Sequence, residues 1–197
     1  MILYWLYARN HFILKIDLKK TARSTYPILK EDVMSIIKEV KRIVTPIDFS
    51  DNSDIIAESA AYMAGTFGAS LHLVFIVQNF EDYSGFFVPQ MTMPTLEDEL
   101  LEGAEKKMAD FCEKGRAKYE KLGVRNLKSK ILAGDVGERI VGYAKDNDAD
   151  MIVMGTHGYK GLEKVMFGSV ADKVVRSALC PVLTINPYKC LKQEEGK

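Results

Sequence analysis

The run Ser70-Leu71-His72-Leu73-Val74-Phe75-Ile76-Val77 constrains this chain more than any other stretch. It is eight residues of almost unbroken apolar character, too short for a buried helix and without polar alternation. A strand covered on both faces reads this way, and such strands belong to parallel sheets flanked by helices. The segments around it repeat the signal. Ile43, Val44 and Ile47 mark a short strand within Lys41 to Asp48, Lys128 to Ala133 a third, Asp150 to Met154 a fourth and Pro181 to Ile185 a fifth.

Helical patterns fill the intervals. Ser50 offers an N-cap, Asp51 and Asp54 suit the positive end of a helix, and Ile56, Ala60, Met63 and Phe67 recur on one face before Gly68 ends it. Leu100, Ala104, Met108, Phe111 and Tyr119 mark a long helix from about Leu96 to Leu122, stopped by Gly123. Gly134 or Asp135 opens a helix with Ile140, Val141 and Ala144, and another runs from about Ser169 to Leu179. The expected fold is α/β: a single-domain, open, five-stranded parallel sheet with helices on both faces. Right-handed crossovers place the loops after the strands at its carboxyl edge, where ligands bind at the reversal of strand order. Asp48 and the loop from Gly155 should meet there.

Residues 34–188 form this domain. Residues 1–33 are an aromatic, basic and irregular N-terminal extension, and residues 189–197 are a polar tail expected to be loose. Met34 reads as a usual beginning for the domain. The apolar start Met1 to Tyr7 is soon interrupted by Arg9, Asn10 and His11, so it is expected to be neither signal peptide nor membrane anchor.

Lysine plus arginine equals aspartate plus glutamate, 27 each, which argues against a nucleic-acid or polybasic membrane partner. Cys112, Cys180 and Cys190 lack metal-ligand spacing, and His11, His72 and His157 form no Cys/His cluster. Free thiols and a cytoplasmic location are expected, with no metal held by side chains.

The chemistry concentrates between Gly155 and Ser169. Gly155 and Gly158 let backbone approach a ligand, and Gly168-Ser169 begins a helix whose free N–H groups and positive dipole suit phosphate oxygens. Neither GxxxxGK[ST] nor GxGxxG is present. The same glycines would also make a tight strand-to-helix connection with Ser169 as its cap. The residues alone leave both readings open.

The pattern G-x2-G-x9-G-[ST] after Ile152-Val153-Met154-Gly155 resembles the ATP-binding signature of the universal stress protein family. Pro46-Ile47-Asp48-Phe49-Ser50 resembles its PxDxS element, Ala133-Gly134-Asp135-Val136 its third-strand turn, and Cys180-Pro181-Val182-Leu183-Thr184-Ile185 its closing strand. The likeness runs from about Val40 to Asn186. It implies an adenine nucleotide alpha-hydrolase-like (Rossmann-like) fold and bound ATP, with Mg2+ or Mn2+ on the phosphates. Asp48 and Pro46 would lie near the adenosine, Ile76 against the base, and Met154 and Gly155 along base and ribose. His157 and Gly158 would approach the phosphates, held by Gly168, Ser169 and Val170.

No set of catalytic residues is evident. Lys160 and Lys164 lie in the loop, but a positioned nucleophile and cationic clamps are missing. The expected function is nucleotide-dependent regulation in a stress response, with slow or no hydrolysis. The alternatives are a weak ATPase and a protein-interaction module without nucleotide dependence, for which the aromatic loop Gln78 to Pro94 is the candidate partner surface. The resemblance also implies a homodimer through Pro181 to Ile185, and an unidentified protein partner is expected.

Overall fold

The apolar run Ser70–Val77 lies between two parallel neighbours in a computed structural model that describes residues 6–7, 13–15, 39–78, 93–156 and 168–187. The elements in chain order are β1 (Leu6–Tyr7), β2 (Ile13–Lys15), β3 (Arg42–Pro46), α1 (Ser53–Phe67), β4 (Ser70–Val77), α2 (Met93–Lys121), β5 (Leu127–Ala133), α3 (Val136–Asp146), β6 (Met151–Gly155), α4 (Ser169–Ser177) and β7 (Val182–Ile185). They build one sheet in the order β1-β2-β7-β6-β3-β4-β5. The five strands from β3 onward are the expected parallel sheet. The extension adds two strands, both antiparallel: Ile13 to Lys15 pairs with β7, and Leu6–Tyr7 pairs with β2.

Alternation within each strand divides the core into two layers. Ile43, Leu71, Leu73, Val153, Leu183 and Ile185 face α1 and α2. Val44, Val74, Ile76, Ile152, Met154 and Val182 face α3 and α4. Both faces of the sheet are thus covered, as its apolar strands require.

The register between β3 and β6 is fixed at the amino edge. One carboxylate oxygen of Asp150 accepts from the N–H groups of Lys41 and Arg42, at 2.8 and 2.9 Å. The guanidinium of Arg42 reaches the Asn147 carbonyl at 2.9 Å. Ile43 therefore sits beside Met151 and Val44 beside Ile152.

Several local expectations need correction. Ser50 does not cap α1: the helix starts at Ser53 behind Asn52, which makes no side-chain cap bond, and Ser50 bonds Asp48 instead. Phe67 is 41% exposed and Leu100 36%, so neither belongs to the buried stripe of its helix. Small residues do that work in α1, where Ala57, Ala60, Ala61 and Ala64 are fully buried. They bring the helix close to its neighbours, and a Cβ on Gly65 would run into the Leu122 carbonyl. Gly68 and Gly123 do adopt positive φ where the helices stop. Asp135 caps α3, accepting from the Glu138 N–H at 2.9 Å.

Candidate functional site

Successive strands run outward in opposite directions from the junction of β3 and β6: β4 and β5 lie on one side, β7 on the other. Open α/β sheets bind ligands at such a junction, outside the carboxyl ends of the strands. Continuing the β3–β6 and β6–β7 registers puts Pro46, Met154 and Thr184 in one row, and Asp48, Thr156 and Asn186 in a second row two residues further along. The second row forms the carboxyl lip of the sheet. The expected meeting of Asp48 with the segment from Gly155 is found.

Asp48 is half committed. Its Oδ1 accepts from the Ser50 N–H at 3.0 Å, the Ser50 hydroxyl at 2.6 Å and the Ser53 hydroxyl at 2.9 Å. Its Oδ2 is buried and has no hydrogen-bond partner among the described residues. A buried carboxylate oxygen left unpaired is costly, so an arrangement that holds one in place is suited to a ligand donor. The next residue, Phe49, has φ 56°, which is strained for a bulky side chain. Phe75 and Phe111 hold its ring, with centroids 4.6 and 5.9 Å away. Aromatic packing beneath the sheet thus fixes the turn that presents Asp48.

The other half of the site is the start of α4. Thr156 donates its N–H to the Ile185 carbonyl, and its own carbonyl accepts from the Gly168 N–H, both at 2.8 Å. Gly168 is the N-cap, with φ −72° and ψ 160°, and makes no side-chain cap bond. Ser169 is therefore the first helical residue and not the cap, and it is exposed. The first N–H groups of α4 lack intrahelical acceptors, as at any helix start. The cations on α4 are engaged elsewhere. Lys173 pairs with Asp135 at 2.9 Å and Glu138 at 3.0 Å, and Arg176 pairs with Asp172 at 2.9 Å. The Glu138 N–H, followed by Lys173, holds the Asp135 carboxyl below its ordinary range.

Among the sequence-predicted residues, Pro46, Asp48, Gly155, Gly168, Ser169 and Val170 gather around this lip. Ile76 and Met154 are 6% and 4% exposed and pack in the core layer beneath α3 and α4. His157 and Gly158 lie outside the described residues, as do Lys160, Lys164 and nearly all of the aromatic loop Gln78 to Pro94. Sequence reasoning missed Ser53, which is 2% exposed and tied to Asp48, and the side-chain oxygens of Thr45, Thr184 and Asn186, which are buried without a partner among the described residues. Asn186 directly follows the closing strand, and counting outward from the strand ends could have placed it opposite Asp48.

Residues 39–186 match the universal stress protein family. The chain belongs to that family. It is 35% identical over 165 residues to the universal stress protein MJ0531 of Methanocaldococcus jannaschii, covering 83% of this chain and 92% of that one. Among solved structures, the universal stress protein UspA from Lactobacillus plantarum superposes with a TM-score of 0.64 at 26% identity, covering 75% of this chain and 99% of the other. The universal stress protein from Archaeoglobus fulgidus in complex with dAMP has the same fold, with a TM-score of 0.51 at 23% identity, over 74% of this chain and 98% of the other. The family's fold accounts for the five parallel strands and their helices. No helix among the described residues is long and apolar enough to cross a membrane.

Proposed function

We propose that this universal stress protein binds ATP at the lip formed by Asp48 and the start of α4, and acts as a nucleotide-dependent regulator in a stress response. The observation that carries the reading is the buried, unpartnered Oδ2 of Asp48, in one row with Thr156, where the path to α4 begins. The donor groups of a ribose suit that oxygen, and phosphate oxygens suit the N–H groups of Ser169 and Val170. Pro46 and Gly155 would flank the nucleoside. Ile76 and Met154 would form the apolar floor under the base, while His157 and Gly158 would approach the phosphates. That a related protein was solved with dAMP supports an adenine nucleotide.

Among the described residues, no group of three or more His, Cys, Asp or Glu is placed to hold a metal ion. Mg2+ or Mn2+ is proposed on the phosphate oxygens and water, where it would neutralise phosphate charge. Slow or no hydrolysis is proposed; Lys173 and Arg176 of α4 are paired with carboxylates. The cytoplasm is the proposed compartment. Pro181 to Ile185 is the proposed edge for homodimerisation, and an unidentified protein is proposed to read the bound state.

The test is calorimetry with ATP, alongside mass spectrometry for co-purified nucleotide. Micromolar binding that is lost in Gly168→Val, in a variant that still melts cooperatively, supports the reading. No adenine nucleotide binding by the intact protein overturns it, and rapid multiple-turnover cleavage overturns the regulatory part.

A further inference from the structure

The two edges of the parallel sheet are protected differently. At one edge, β5 exposes Lys128, Ser129 and Lys130, and charged side chains discourage further strand pairing. At the other edge, β7 is Val182-Leu183-Thr184-Ile185, uncharged and buried at every position. A strand of that composition is a template for another chain unless something covers it. Here β2 covers it: Ile13 lies opposite Thr184, Leu14 opposite Leu183 and Lys15 opposite Val182, all antiparallel. Among the described residues, the two-residue β1 lies outside β2, and a very short outermost strand is itself a poor template.

We propose that the hairpin of β1 and β2 is a built-in edge cap, and that it competes with a second copy of this chain for β7. Antiparallel pairing of β7 with β7 is symmetric and closes after two copies, and no like charges would oppose it. The hairpin has the advantage of being tethered. Covalent linkage within one chain gives an effective concentration on the order of millimolar, roughly a thousand-fold above a micromolar partner. The capped chain is therefore monomeric at that edge, and loss or displacement of residues 1–33 opens it to dimerisation. This rests on Pro181 to Ile185 being the pairing edge, and not on nucleotide binding.

Sedimentation velocity at micromolar concentration compares the full chain with one beginning at Met34. The expected result is a monomer for the full chain and a dimer for the shortened one. Equal masses overturn the proposal. If the shortened chain does not fold, Leu14→Pro in the full chain serves the same purpose: it breaks β2 and should raise the dimer fraction, and an unchanged fraction overturns the idea. Leu14→Cys combined with Leu183→Cys should close a disulfide within one chain under oxidation, since directly opposed strand residues are close enough. Peptide mapping that finds no such link, or finds it only between chains, also overturns the cap. ATP titration of the same samples keeps the two readings apart, because the cap predicts no change in affinity.

Discussion

The Ser53 hydroxyl donates to Asp48 Oδ1 at 2.9 Å and accepts the Asp48 N–H at 3.3 Å. One buried side chain thereby sets both the backbone and the carboxylate of the residue at the centre of the proposed site. Ser53 stands at the head of α1, so the first turn of that helix is a support for the lip.

Ser53→Ala should therefore lower stability by about 1–2 kcal/mol, because it removes two hydrogen bonds from partly buried groups. It should also weaken ATP binding about fivefold, equivalent to about 1 kcal/mol. Urea unfolding and calorimetry would measure the two effects. Asp48→Asn should weaken binding more, about tenfold or beyond, since it replaces a charged acceptor.

Thr184→Val should show the opposite balance. The Thr184 hydroxyl oxygen is buried without a partner among the described residues, and the residue is 2% exposed. Removing an unpaired polar atom should raise the stability of the unliganded protein by about 1 kcal/mol. Thermal melts without nucleotide would check this, and a lower melting temperature would count against it.

Two glycine substitutions separate close approach from open helix surface. Gly65→Ala should cost about 3 kcal/mol, because the new methyl meets the backbone carbonyl of Leu122 and lies 3.2 Å from the Gly123 Cα. Gly142→Ala meets nothing within 4 Å and should stabilise α3 by about 0.5–1 kcal/mol. Paired chemical denaturation would show both signs.

Acid should weaken the fold through His72. This side chain is 1% exposed, with Tyr143 Oη 3.2 Å from Nδ1 and Ser70 Oγ 3.4 Å from Nε2. Burial, then the positive charges of Lys128 and Arg42, hold its pKa below the usual 6.5. The unfolded chain thus binds the proton more readily than the folded one. The stability this gives is fully present above pH 6.5 and is lost as pH falls from there through the lowered folded value. His72→Gln should flatten that part of the stability–pH curve, as read from urea midpoints across the acidic range.

The parallel sheet was legible because its strands are short apolar runs bounded by clear stops such as Gly68 and Gly123. The buried face of α1 was partly missed. Its contacts are made by alanines, which carry little hydrophobic signal, whereas the more conspicuous Phe67 falls on an exposed part of the last turn. Ser50 looked like a cap because caps are recognised from neighbours in sequence, while Asp48 claims it through a turn at Phe49 that no residue type announces. Asp48, Gly168 and Ser169 were visible as candidates through their spacing. Asn186 and Thr184 depend on which strand lies beside which and in what register. The pairing of Ile13 to Lys15 with β7 was invisible for the same reason, since three residues carry no period and their partners lie at the far end of the chain.

The 2.8 Å bond from Gly168 to Thr156 has a consequence for how such a protein can diversify. It ties together the two ends of the segment 157–167, so the sheet and α4 meet the same junction whatever that segment contains. Exchanging those residues between relatives should retune the proposed nucleotide binding, while the melting behaviour of the scaffold is inherited unchanged.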